Sequence, residues 1–103
     1  MPIPKLTAEE LAAARAKAVV TRRARADLKN AVRSGELNPA VALTRAVDDP
    51  QLRLIRVKDF LKSVPRIGEK RADAIMAVHA IAASRRLGGL GAHQLEGLVS
   101  EFS

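Results

Sequence analysis

The residue types and spacing that could do chemistry are concentrated in one run, Val-Pro-Arg-Ile-Gly-Glu-Lys-Arg-Ala, which covers residues 64–72. Pro65 ends one helix there because it denies the residue before it the α conformation. A second helix is predicted to begin at Glu69. Gly68 has no Cβ, so the backbone between the two helices can take a positive φ and come close to a ligand. The run therefore predicts a tight hairpin between two helices.

A phosphate group fits the start of the second helix. The N–H groups from Gly68 to Lys70 have no partner within the helix and lie at the positive end of its dipole. Arg66, Lys70 and Arg71 add positive charge around them. The alternative is a plain turn whose glycine is only a cap, and the spacing alone leaves both interpretations open.

A second basic surface is predicted on a long first helix over residues 7–34. Thr7 and Glu10 have the spacing of a capping box, and Gly35 follows as a C-terminal cap. Asp27 is the only acid among residues 11–33, against seven bases, so this face indicates phosphate contacts rather than a merely solvated surface. On a helical wheel the basic side is Arg15, Arg22, Arg25, Lys29 and Arg33, and the apolar side is Ala13, Val20, Ala24, Leu28 and Ala31.

The composition excludes most other kinds of chemistry. The chain has 103 residues, a formal net charge of +7, and no Cys, Trp or Tyr. Without cysteine there is no zinc ribbon, and His79 and His93 lack the spacing of a metal site, so we expect no metal and no cofactor. The apolar runs fall short of the roughly 20 residues of a membrane span. We expect a cytoplasmic protein without a membrane partner or small-molecule substrate, whose positive charge indicates nucleic acid as its partner.

The elements that position these residues are predicted to be helices, because β patterns are nearly absent. We expect a single all-α domain over 1–103, with a flexible start over 1–6, the long helix over 7–34 and a helical core over 36–103. The core helices are expected from Asn38-Pro39 to Asp48, at 51–54, around Val57 to Val64, over 69–80, as one turn capped by Ser84, and over 92–102. Four of these helices have a predicted core face. In chain order the faces are Val41, Leu43 or Thr44, and Val47 in the first helix; Val57, Phe60, Leu61 and Val64 in the helix before Pro65; Ala72, Ile75, Met76 and His79 in the helix over 69–80; and Leu95, Leu98, Val99 and Phe102 in the last helix. Glu69 and Asp73 are expected to pair with Lys70 or Arg66.

Three parts of the chain carry a resemblance to a known family. The pattern Pro-x-Ile-Gly-x-x-x-Ala-x-x-Ile over residues 65–75 resembles the helix-hairpin-helix phosphate-binding motif, in which many members carry Gly at the position of Arg66. Residues 80–91 resemble the second turn of a helix-two-turn-helix. Together with Leu-Thr-Ala-Glu-Glu at 6–10, the Arg-rich run at 22–29 and Ser-Gly-Glu-Leu at 34–37, they make residues 6–102 similar to actinobacterial integration host factor.

The resemblance implies a long N-terminal helix packed on a helix-two-turn-helix core at 57–102. It also implies a non-enzymatic nucleoid-associated protein that binds double-stranded DNA with little sequence preference, bends or compacts it, and affects its topology. Its location would be the nucleoid, and we expect a monomer. The phosphate-binding residues carried over by position are Pro65, Arg66, Gly68, Lys70 and Arg71 in the hairpin, and Arg85 and Arg86 in the second turn.

Two positions depart from the family pattern. Relatives usually carry Lys where this chain has Glu69, and a base where it has Gly88, so both changes weaken the positive field. Gly88 has two explanations: its backbone needs a left-handed conformation, or a base is simply missing. We favour the second, which predicts that Gly88→Arg tightens DNA binding at little cost in stability.

Two other functions share some of these features. A ribosomal protein of the small subunit uses the same helix-two-turn-helix on RNA, but in that family the two-turn segment comes first and a basic tail last, the reverse of the order here. Some DNA glycosylase-lyases use an N-terminal proline amine, but Pro2 is not followed by the carboxylate they need. RNA binding therefore remains the alternative, and an enzyme is not expected.

Overall fold

The structure, a computed structural model, describes residues 6–102. Five α-helices follow one another along these residues: α1 (Ala8–Ser34), α2 (Pro39–Ala46), α3 (Val57–Ser63), α4 (Glu69–Val78) and α5 (Ala92–Glu101). A 3₁₀ turn, Leu87–Gly89, lies between α4 and α5. Within the described residues there is no strand, only an isolated bridge between Arg56 and Arg86. The predicted all-α class is confirmed, while the predicted flexible start lies outside the described residues except for Leu6.

Helix α1 begins and ends at the residues that its local signals predict. The Thr7 hydroxyl accepts a hydrogen bond from the Glu10 N–H at 3.1 Å, and the Glu10 carboxylate accepts one from the Thr7 N–H at 3.3 Å. Gly35 ends the helix with φ 85°, a left-handed conformation that glycine adopts without a Cβ clash.

Only the second half of α1 packs on the rest of the protein. Residues 8–20 are all exposed, whereas Leu28 and Val32 are buried. The predicted apolar face is therefore wrong for Ala13 and Val20, which lie on the exposed half of the helix. The elongated dimensions, 47 × 33 × 23 Å, fit a helix longer than the core it packs against.

The core is formed by α2 to α5 and the second half of α1. Its largest fully buried side chains include Phe60 and Leu61 of α3, Leu43 of α2 and Leu98 of α5. Helix α2 buries Leu43 as predicted, but together with Ala42 and Ala46, while the predicted Val41 is 43% exposed and Val47 is only partly buried.

The second half of the chain follows the predicted order with two corrections. Helix α4 ends at Val78 rather than Ala80, because Ala80 has a positive φ of 53° and cannot continue it. Ser84 caps no helix, because residues 85–87 pair with the segment before α3 and the 3₁₀ turn begins only at Leu87. Within the described residues, no helix has the length and apolar character to cross a membrane.

Candidate nucleic-acid interface

The hairpin between α3 and α4 is a four-residue turn closed by a hydrogen bond from the Ile67 N–H to the Val64 carbonyl at 3.1 Å. Arg66 has φ 70° in this turn, whereas Gly68 is extended with φ −93° and ψ −170°. The expected use of a positive φ at Gly68 is therefore wrong. Pro65 and Arg66 occupy the second and third turn positions, where a type II turn favours Pro and requires a positive φ, respectively. Arg66 thus adopts a conformation that glycine would adopt more easily.

Gly68 instead gives open access to the beginning of α4. No side chain caps this helix end, and a Cβ built on Gly68 would meet nothing within 4 Å. Pro65, Arg66 and Gly68 line a concave surface of about 450 Å³ that also includes Arg33 of α1 and Lys62 of α3. The first N–H groups of α4 lack helical acceptors, as at any helix start. The surface can therefore offer an anion both backbone donors and cationic side chains.

Two of the other predicted hairpin bases lie outside this concave surface. Arg71 lines a neighbouring groove on the hairpin together with Arg66, Glu101 and Phe102. Lys70 is exposed in the first turn of α4. The hairpin bases therefore surround the turn rather than converge on one point, which suits an extended anion better than a small one.

The two carboxylates of α4 are paired with Lys58 of α3. The Lys58 Nζ lies 3.0 Å from Asp73 Oδ1 and 3.1 Å from Glu69 Oε1. Hydrogen bonds to Asp73 and Glu69 raise the pKa of Lys58 above its ordinary value. The expected pairing with Lys70 or Arg66 is wrong, because Lys58 approaches α4 from the packed neighbouring helix. This pairing offsets part of the negative charge that Glu69 brings to the hairpin.

The second turn is fixed to the segment that precedes α3. The Val57 N–H donates to the Arg85 carbonyl at 3.0 Å, and the Leu87 N–H donates to the Ile55 carbonyl at 2.9 Å. The side chains of Arg85 and Arg86 donate to the carbonyls of Gly89 and Leu54, each at 2.9 Å. Both arginines line an open cleft of about 390 Å³, and Arg53 lines it from the opposite segment.

Gly88 lies directly under the Arg53 side chain. A Cβ on Gly88 would lie 2.5 Å from Arg53 Nε and 2.8 Å from Arg53 Cβ, closer than non-bonded atoms approach. Gly88 is not in the left-handed region, so the backbone explanation of this glycine is wrong. The preferred explanation, that a base is simply missing, came with an expectation of little stability cost for Gly88→Arg, and that expectation is wrong because a side chain at position 88 would collide with Arg53.

Some basic residues of α1 are exposed to solvent and others are partly buried against the rest of the protein. Arg15 and Arg22 are exposed as predicted, and Lys29 is partly buried. The assignment of Arg25 to the outer stripe is wrong: its Nε donates to the Gln51 carbonyl at 2.9 Å, against the turn that follows α2. Arg25 lies three residues before the buried Leu28 and therefore shares its face.

Sequence reasoning missed two bases that the fold brings to the turns. Lys62 reaches the hairpin surface, and Arg53 reaches the second turn. The position of Lys62 three residues before Pro65, in the last turn of α3, is a local signal from which its proximity to the hairpin could have been predicted. Arg53 is 32 residues before Arg85, and no local pattern indicates their proximity.

The chain has a tight turn between α3 and α4, a longer connection with a 3₁₀ turn between α4 and α5, and a long first helix. This is the arrangement of a helix-two-turn-helix domain, and a family model described as an S13-like H2TH domain matches residues 21–102. Over 102 residues the chain is 41% identical to the integration host factor of Mycolicibacterium smegmatis and 40% identical to that of Mycobacterium tuberculosis; each match covers 99% of this chain and 97% of the relative. The integration host factor of Streptomyces coelicolor is 35% identical over the same length, covering 95% of that relative. This chain belongs to the integration host factor family.

A solved structure supports the same placement. It is described as sIHF bound to an 8 bp palindromic DNA, and it matches with a TM-score of 0.79 and 32% identity. The match covers 84% of this chain and 98% of that chain.

Replacing Arg66 tests the geometry of the hairpin. Arg66→Gly and Arg66→Ala remove the same charge, but only glycine adopts φ 70° without a Cβ penalty. We expect Arg66→Gly to be more stable to urea than Arg66→Ala by about 1 kcal/mol. Equal stability of the two variants would contradict the observed turn.

Proposed function

We propose that this chain is a non-enzymatic nucleoid-associated protein that binds double-stranded DNA through its phosphates and bends or compacts it. The observation that carries the proposal is the distribution of charge. Among residues 6–102, Lys58 is the only lysine or arginine paired with a carboxylate of a described residue. The remaining cations include those around both turns, where a polyanion can neutralise them.

The hairpin is proposed as the first phosphate site. One phosphate would accept hydrogen bonds from the open N–H groups at the start of α4 and from Arg66, next to Gly68. Pro65 fixes the turn, and Lys70 and Arg71 would meet phosphates on either side. Arg85 and Arg86 are proposed as contacts of the second turn. These donors would meet the DNA backbone, which carries no sequence information directly, so we expect little sequence preference.

The exposed part of α1 is proposed as a second DNA-binding surface. Arg15 and Arg22 lie on the outer side of this helix, and Lys29 borders it closer to the core. Because the exposed first half of α1 extends away from the core, Arg15 and the nearby Arg22 can reach a duplex other than the one bound at the turns. Contact with two duplexes would draw them together, which is how the protein would compact DNA.

The proposal includes no catalytic residue and no cofactor, a monomeric state, and a location in the nucleoid. RNA binding by the same two turns is the rival function. The names of the relatives and the DNA in the solved structure of sIHF favour DNA over RNA.

A competition experiment tests the choice between DNA and RNA. A labelled DNA duplex is bound to the protein at one stated salt concentration, and unlabelled duplex DNA, scrambled duplex DNA, duplex RNA and single strands compete. We expect both DNA duplexes to compete about equally and better than RNA. Equal or stronger competition by duplex RNA would overturn the proposal.

The salt dependence of binding tests the proposed phosphate contacts. If the two turns together meet roughly four to seven phosphates of one short duplex, the slope of log affinity against log salt should be about −4 to −6. The slope is measured by fluorescence anisotropy on a short duplex. A slope near −1 would mean that the basic residues are not the interface.

Charge reversal separates the two proposed surfaces. Arg15→Glu with Arg22→Glu should leave the affinity for a short duplex within about threefold and abolish compaction of long DNA, measured by light scattering. The matched variant, Arg85→Glu with Arg86→Glu, should lose short-duplex affinity by tenfold or more, on the order expected for two reversed phosphate contacts. Circular dichroism checks that both remain folded. If the two variants lose both properties alike, α1 is not a separate surface.

A further inference from the structure

We infer that Arg53 is the third cation of the second-turn phosphate site, and that residue 88 is glycine because the Arg53 side chain lies across it. This inference rests on the proposed function and adds a residue to it. Arg53 lies in the turn between α2 and α3, far from Arg85 and Arg86 in the sequence.

The backbone holds Arg53 and Gly88 side by side. The Gly88 N–H donates to the Arg53 carbonyl at 2.8 Å, while the Arg53 N–H donates to the Asp49 carbonyl at 2.8 Å and anchors the turn on the other side. The Arg53 Nη2 donates back to the Gly88 carbonyl at 3.3 Å. The backbone of Arg53 and the end of its side chain are therefore both hydrogen-bonded to Gly88.

The three guanidinium groups of the cleft are oriented without being neutralised. Arg53, Arg85 and Arg86 each donate to a neutral backbone carbonyl, and none is paired with a carboxylate among residues 6–102. A guanidinium has five N–H donors, so each retains donors for a ligand. Arginines held in place lose less side-chain entropy when they bind, and their planar fork matches the oxygens of a phosphate.

Three like charges around one cleft repel one another until an anion lies among them. The cleft is open and about 390 Å³ in volume, and Gly88 and Gly89 form part of its lining with Ser84. An open cleft of this kind suits a phosphodiester group of a nucleic-acid backbone that crosses it better than a small molecule, which needs a pocket that surrounds it. Arg53 would contact the same strand as Arg85 and Arg86.

Gly88 has a steric role in this arrangement. A side chain at position 88 would collide with Arg53 Cβ, which cannot move away like the end of a flexible side chain. One cation can occupy this place, from position 53 or from position 88, but not from both. The pair is therefore expected to be exchangeable: Arg53→Gly removes the obstructing Cβ, and Gly88→Arg then returns a guanidinium to the cleft.

The first experiment measures the affinity of full-length variants for a short DNA duplex over a series of salt concentrations. Arg53→Ala should weaken binding about three- to tenfold at about 100 mM salt and make the salt slope shallower by about one unit. The matched control is Arg45→Ala, which removes an exposed arginine of α2 outside the cleft and should bind within about twofold of the parent. Equal affinities of the two variants would overturn the inference.

The second experiment exchanges the two residues. Arg53→Gly should lose affinity and Gly88→Arg should lower the melting temperature, while the double variant should recover parental affinity to within about twofold and most of the melting temperature. A double variant that binds no better than Arg53→Gly would overturn the inference. If the parent chain itself fails to bind duplex DNA at low salt, the proposed function fails, and the inference fails with it. Failure of the proposed function shows in the parent chain, whereas failure of this inference alone shows only in the variants, so the two results are distinguishable.

Discussion

The reversal of the chain between α3 and α4 is the constraint on which the rest of the structure depends. Pro65 stops α3, and one hydrogen bond from Ile67 to Val64 closes the turn before α4 begins. The turn requires a positive φ at Arg66, a conformation that costs roughly 1 kcal/mol or more in a residue other than glycine. Packing of α3 on α4, with Phe60 and Ala72 both fully buried, offsets that cost. As a result the open end of α4 lies at the surface beside bases from α1 and α3.

Within residues 6–102, the cations around the two turns have no carboxylate partner. Lys58 pairs with both acids of α4, Glu69 and Asp73, so a single cation engages two carboxylates that would otherwise attract the basic residues of the hairpin. In the second turn, Arg85 and Arg86 are oriented by carbonyl oxygens, which fix geometry without cancelling charge. A surface of this kind gains little stability from its own ion pairs and is suited to exchanging counterions for phosphates.

The features that could be predicted from the sequence are those that depend on neighbouring residues. Thr7 with Glu10, Gly35 and Pro65 each act within one helical turn, and the structure places helix ends where these residues predict them. The face of α2 could not be predicted from hydrophobicity alone, because α2 buries two alanines and leaves Val41 exposed. Arg25 has the same sequence surroundings as its basic neighbours, and only its contact with Gln51 separates it from them. Arg53 and Gly88 meet across 35 residues, and their fit depends on atomic distances that a sequence pattern does not contain.

The proposed phosphate site at the beginning of α4 is tested most directly by a comparison of Gly68→Asp with Gly68→Ala. Both Cβ atoms would enter open space, and aspartate is a favourable residue before a helix, so Gly68→Asp should melt at or above the temperature of Gly68→Ala. Aspartate also places a negative charge where the phosphate would lie. The affinity of Gly68→Asp for a short DNA duplex should therefore be lower than that of Gly68→Ala by about tenfold or more. If the two variants bind duplex DNA equally well, the beginning of α4 is not a phosphate site and the account is contradicted.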